Sequence, residues 1–113
     1  MDEQEVDAQK GKDLAGQGRN VYVFMNSLQD LELARQVLGA GNNAQDIDMG
    51  EARMIMFRHA QRKELMEHAA KFEGSLIVCP HGRTSLEFVH ALSELGIKAY
   101  SLHGGIEGLK SRA

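Results

Sequence analysis

The sequence predicts a single α/β domain built on a parallel sheet. Short apolar or β-branched runs at residues 21–24, 76–79 and 97–102 alternate with segments of helical periodicity, a pattern that favours a parallel sheet over a helix bundle. The run Leu76, Ile77, Val78 is apolar at successive positions, as in a strand covered on both faces. At 113 residues the chain has the length of one domain, able to bury about two-thirds of its unfolded surface. The expected architecture is a central, mostly parallel sheet with helices on both faces.

Residues 1–19 are polar and carry Gly11, Gly16 and Gly18. They are expected to form a flexible lead with a weak helix near residues 8–15, ahead of one domain over residues 20–113. Residues 21–24 form the first strand candidate. Ser27 then has the character of an N-cap, with Asp30 placed near the positive end of the helix. Leu28, Leu31, Ala34, Val37 and Leu38 mark the stripe by which that helix would bury itself. Residues 39–43 stop it, being rich in glycine and asparagine, which tolerate the left-handed region. A short strand is expected over residues 44–48.

Residues 51–72 read as one helix, with Leu65, Met66, Ala69, Ala70 and Phe72 on a common side, closed by Gly74. After the strand at 76–79, Phe88, Val89, Leu92 and Leu95 give the next helix an apolar stripe that ends at Gly96. Residues 97–102 are the last strand. No internal repeat, low-complexity tract or linker interrupts this order.

Composition narrows the partners. The net charge of −3 and a pI near 5.9 give no basic surface for nucleic acid or an anionic membrane. No apolar run approaches the roughly 20 residues that span a bilayer. The first residues are acidic, unlike a signal peptide. One cysteine cannot form an internal disulfide, which favours a reducing compartment. The expected location is cytoplasmic.

The most informative stretch is residues 75–85, Ser-Leu-Ile-Val-Cys-Pro-His-Gly-Arg-Thr-Ser. An apolar strand ends on the only cysteine, Cys79; a polar turn with Gly82 and Arg83 follows; an amphipathic segment opens at Ser85 or Leu86. Such a strand delivers a thiol to a loop that leads into the first turn of a helix. There free backbone N–H groups and the positive end of the helix dipole converge. Most lone cysteines are inert small hydrophobes. Here the loop is built of small and donor-rich residues suited to wrapping an anion, so Cys79 is expected to act as a nucleophile near neutral pH.

Cys79-Pro80-His81-Gly82-Arg83-Thr84-Ser85 resembles the active-site loop of rhodanese-homology domains, the thiosulfate sulfurtransferase family. Residues 102–110, Leu-His-Gly-Gly-Ile-Glu-Gly-Leu-Lys, resemble that family's closing Gly-Gly turn and short final helix, with Leu109 where the family usually has Trp. The likeness spans residues 75–110. Earlier, residues 21–24 correspond to a strand that in the family ends in Asp-Val-Arg, but Met25-Asn26-Ser27 stands there. Residues 38–49 match the family's Gly-His-Ile-Pro-Gly-Ala turn only at Gly39 and Ala44. An acid and an arginine that brace family members are therefore not evident.

The resemblance implies a rhodanese-like fold and transfer of sulfane sulfur through a persulfide on Cys79, with no cofactor or metal. A small donor such as thiosulfate would supply the sulfur, and a thiol, cyanide or a partner protein would accept it. Backbone amides of residues 81–85 would cradle the anionic persulfide. Gly82 would let the chain turn, and Arg83 would attract the donor's anionic end. Thr84 and Ser85 hydroxyls could donate to sulfur, and Pro80 would stiffen the turn.

Two other cysteine chemistries fit less well. The Cys-x5-Arg phosphatases need Arg where Ser85 stands, and Arg83 comes two residues early. A thioredoxin-type site needs a second cysteine where Gly82 stands. The rival from another class is a rhodanese-like module that binds or regulates a partner without turnover, motivated by the weak match of the first half.

Of the five histidines, His59 and His68 are nine residues apart, on opposite sides of a continuous helix, with no cysteine pair to make a metal site. His81 lies in the cysteine loop, where it could be a donor or proton carrier. His103 is expected to be structural. Arg53, Arg58, Arg62 and Lys63 interleave with Glu51, Glu64 and Glu67, as on a solvated helix face, with a docking surface for an acidic partner as the minority reading.

Overall fold

The computed structural model describes residues 3–24 and 27–112; Met25 and Asn26, which the resemblance set against an Asp-Val-Arg motif, lie outside the described residues. The elements in chain order are β1 (Glu5–Val6), α1 (Ala8–Gly16), β2 (Val21–Val23), α2 (Leu28–Leu38), β3 (Ala44–Asp46), α3 (Met49–Phe57), α4 (Arg62–Ala69), β4 (Leu76–Val78), α5 (Arg83–Glu94), β5 (Tyr100–Leu102) and α6 (Gly105–Lys110). The strands form one sheet in the order β1-β5-β4-β2-β3, every pair parallel.

Alternation of side chains along β2 and β4 divides the core in two. Val21, Val23, Leu76 and Val78 face one layer with Leu14, Ala34, Leu38, Ile106 and Leu109 from α1, α2 and α6. Tyr22 and Ile77 face the other with Ala52, Ile55, Leu65, Phe88 and Leu92 from α3, α4 and α5. This is the doubly covered parallel sheet predicted from the successive apolar positions of β4. In the second layer Phe72 meets Tyr22 and Phe88 edge-on, with ring centroids 4.7 and 5.0 Å apart, and Phe24 meets Phe88 at 5.6 Å. Burial there pushes the Tyr22 phenol above its ordinary pKa; nearby Lys71 pulls the other way.

The strand order places the site. From β2 the chain moves outward to β3, then returns past β2 to β4 and continues the other way to β5. β2 and β4 are neighbours, yet α2 covers one face and α5 the other. Ligands of open parallel sheets bind at the carboxyl ends of strands where the order reverses in this way. Cys79 follows directly on β4 at that place.

Four expectations change. Residues 1–19 are not a lead set apart from the domain in their described part. Glu5–Val6 pairs with Ser101 and Leu102 as the edge strand, and α1, capped by the Asp7 carboxylate on Lys10 N–H at 2.8 Å, buries Leu14 and Ala15. Leu28 is 73% exposed, so the buried stripe of α2 rests on Ala34 and Leu38.

The segment 51–72 is two helices rather than one. Arg58 adopts φ +55°, and His59 N–H closes on Met54 O at 3.0 Å. The break re-aims the chain so that Ala52 and Ile55 from α3 and Leu65, Ala69 and Phe72 from the second part all reach the core, while Ala70 is exposed. His59 and His68 consequently share no helix. The start of α3 carried a signal, because Asp48 caps Glu51 N–H at 3.0 Å. Finally, α5 begins at Arg83, two or three residues before the predicted Ser85 or Leu86.

Glu51 spans the break. Its side chain, 10% exposed, meets His68 Nδ1 at 2.6 Å and Lys71 Nζ at 2.7 Å, tying the start of α3 to the end of α4. Arg58 pairs with Glu94 of α5. Replacing Glu51 with Ala removes two charge-assisted bonds at a partly buried position. The expected cost is about 1–2 kcal/mol, a fall of roughly 5–10 °C in Tm on thermal unfolding.

Candidate active site at Cys79

Cys79 is 1% exposed, and its Sγ lies at the start of α5. Gly82 N–H reaches it at 3.1 Å and Ser85 N–H at 3.2 Å. The Ser85 hydroxyl stands 3.2 Å from the same sulfur and 2.7 Å from Ser101 Oγ on β5. Both serines are fully buried. The sulfur therefore sits in a ring of two amides and one hydroxyl at the positive end of a twelve-residue helix.

The seven predicted residues are brought together, though not all touch sulfur. Cys79, Pro80, His81, Arg83 and Thr84 line a cavity of about 480 Å³. Pro80 is half-buried, and its carbonyl accepts Glu107 N–H at 3.0 Å. His81, Arg83 and Thr84 are exposed. Arg83 is the first residue of α5 rather than part of the preceding loop. Of the two hydroxyls expected to reach sulfur, only that of Ser85 does so among the described residues; Thr84 faces the cavity. The amide cradle is likewise divided. Gly82 and Ser85 N–H point at Sγ, while the N–H groups of His81, Arg83 and Thr84 bond no acceptor among the described residues.

The loop conformation depends on two glycines from distant parts of the chain. Gly82 has φ +89°, and a Cβ there would stand 2.9 Å from Gly104 N and 3.1 Å from Leu102 O. Gly105 has φ +56°, and a Cβ would overlap the Cys79 carbonyl oxygen and approach Gly82 N at 2.7 Å. The two turns press backbone against backbone, which only glycine permits. Ile106 N–H then donates to Cys79 O at 2.9 Å.

His103, one residue before this turn, meets Glu5 Oε2 at 3.0 Å and links β5 to β1. Glu107 is exposed near the site. A hydrogen bond from Lys110, with a smaller effect from the charge of His81, holds its carboxyl below the usual range.

No protein-family model, curated protein or solved structure matches this chain. The parallel α/β sheet with helices on both faces is the architecture that the resemblance implies. Among the described residues, no helix is long and apolar enough to cross a membrane.

Sequence reasoning missed Ser101. A serine between Tyr100 and Leu102 in a strand predicted to be buried was the available signal, since a polar side chain placed there needs a partner. It also missed that residues 104–106 close directly on the cysteine loop.

Proposed function

We propose that this chain is a sulfurtransferase of the rhodanese-homology type that carries sulfane sulfur on Cys79. The observation that supports it best is the pair of N–H groups, Gly82 and Ser85, aimed at a sulfur that borders a cavity with further amide donors left over. In the first half-reaction the Cys79 thiolate forms an S–S bond to the outer sulfur of thiosulfate. The bond from that sulfur to the sulfonate breaks, and its electron pair leaves with sulfite. In the second, an acceptor thiolate or cyanide bonds to the terminal sulfur, and the electron pair of the persulfide bond returns to Sγ.

The chain's own groups have distinct tasks in this scheme. Gly82 N–H, Ser85 N–H and the Ser85 hydroxyl are the donors placed to receive the negative charge that Sγ carries as nucleophile and as leaving group. The free amides at the mouth of α5 suit the terminal sulfur or the donor's oxygens. Arg83 supplies positive charge to an anionic donor, and Pro80 and His81 wall the cavity. The lone cysteine goes with a reducing compartment, and we place the protein in the cytoplasm. Treatment with thiosulfate followed by mass spectrometry tests the reading, with one added sulfur on the intact chain as the expected result.

The 1% exposure of Cys79 favours a second reading, a module that binds or regulates a partner without turnover. Alkylation of the folded chain separates the two. A sulfur carrier reacts readily with iodoacetamide at neutral pH, and an inert module does not.

Arg83 provides a test of donor charge. Arg83→Ala is expected to raise KM for thiosulfate roughly threefold to fivefold and to weaken the salt dependence of the reaction. Arg83→Lys recovers part of this, because a planar fork fits an oxyanion better than a point charge. Steady-state kinetics with thiosulfate and with a neutral persulfide donor checks it. An equal loss with both donors would leave Arg83 a structural role.

A further inference from the structure

Ser101 has no part in the half-reactions above, yet its side chain is wholly buried in the strand beside β4. An apolar residue would be cheaper at such a position, since a buried hydroxyl must find a partner. Its partner is the Ser85 hydroxyl at 2.7 Å, which is in turn 3.2 Å from Cys79 Sγ. Sulfur, hydroxyl and hydroxyl form one buried line running from the cavity toward the interior.

Counting protons along this line distinguishes its two states. With Cys79 as a thiol, S–H donates to Ser85 Oγ, and either serine hydroxyl can donate to the other. Three protons then share two contacts, and whichever serine accepts keeps a hydroxyl proton with no acceptor among the described residues, in a place closed to water. With Cys79 as a thiolate, Ser101 O–H donates to Ser85 Oγ and Ser85 O–H donates to sulfur. Every hydroxyl proton then has an acceptor, and the line ends on the negative charge.

We propose that Ser101 is a positioning residue that acts through Ser85, turning the Ser85 proton onto Cys79 Sγ. The inference rests on the reading of Cys79 as a reactive sulfur, and it adds the group that orients the hydroxyl of the ring. Ser101 touches neither donor nor acceptor. Its influence travels through one hydrogen bond.

The rate of alkylation by iodoacetamide at neutral pH tests this without any sulfur donor. Ser101→Ala is expected to slow alkylation of the folded protein about fivefold, the factor carried by one intramolecular hydrogen bond. Ser85→Ala is expected to slow it at least as much. In the double variant the Ser101 change should cost nothing further, since its route to sulfur has been removed. Ser101→Thr, which keeps the hydroxyl on a residue suited to a strand, should restore the parental rate. Circular dichroism confirms that each variant compared is folded, and if Ser101→Ala is not, Ser101→Cys, similar in size but a weak donor, takes its place, in a comparison that follows modification of Cys79 by peptide mass.

An unchanged rate in the single variant would overturn the proposal. So would an equal loss with and without the Ser85 hydroxyl, which would mean that Ser101 acts by packing. Sulfur loading from thiosulfate is read separately by mass. A chain that gains no sulfur but keeps the Ser85–Ser101 coupling would sink the transferase reading and leave this one standing.

Discussion

Cys79→Ser is expected to abolish sulfur loading while leaving the fold intact. On the proposed function the parent chain should gain one sulfur from thiosulfate and the variant none, because no other residue in the sequence is a thiol. Loss of structure would not explain such a result. Serine is close in size to cysteine, and Gly82 and Ser85 N–H remain to satisfy its oxygen at a site that is 1% exposed. Stability should fall by about 1 kcal/mol or less, a few degrees in Tm. Intact-mass measurement beside a thermal scan checks both halves. A variant that still takes up sulfur would remove Cys79 from the reaction altogether.

Gly105→Ala is expected to damage fold and site together. An alanine Cβ would overlap the Cys79 carbonyl oxygen and stand 2.9 Å from His81 N, and the backbone φ of +56° is itself unfavourable for a residue with a side chain. The neighbours are main-chain atoms on both sides, so no rotamer change relieves the contact. Overpacking and φ strain together should cost about 3 kcal/mol, or roughly 10–15 °C in Tm. Sulfur loading of the fraction that remains folded should fall as well, since relief can come only by moving the cysteine loop. Gly96→Ala is the control. It also has a positive φ, +82°, but a Cβ there meets nothing within 4 Å. A thermal scan of both variants separates backbone strain from the collision with the loop.

The parts of this fold that depend on local pattern were legible in the sequence. The successive apolar residues of β4 announced a strand covered on both faces, and Phe88, Val89 and Leu92 marked the buried side of α5. Gly39 was readable as a left-handed stop and has φ +67°. The failures depend on distant partners. β1 is two residues long and exists only because β5 lies beside it. The turn at Arg58 leaves a helical pattern unbroken in sequence, and it is decided by where α3 and α4 must pack. In the site, the strand–cysteine–helix order pointed to Sγ and its amides. Ser101 and the Gly105 contact were hidden because they join residues 16 or more positions apart.

The stitch between residues 104–107 and the cysteine loop makes the site depend on closure between distant parts of the chain. Cys79 O and Pro80 O receive their hydrogen bonds from Ile106 and Glu107, more than 25 positions further along the chain. Until α6 docks on α2 and the first core layer closes, the loop lacks the contacts that fix its turn. If Cys79 carries sulfur as proposed, this dependence on long-range closure would act as proofreading: the ring of donors around Sγ is complete only on a chain whose sheet, both helical layers and final turn are all in place.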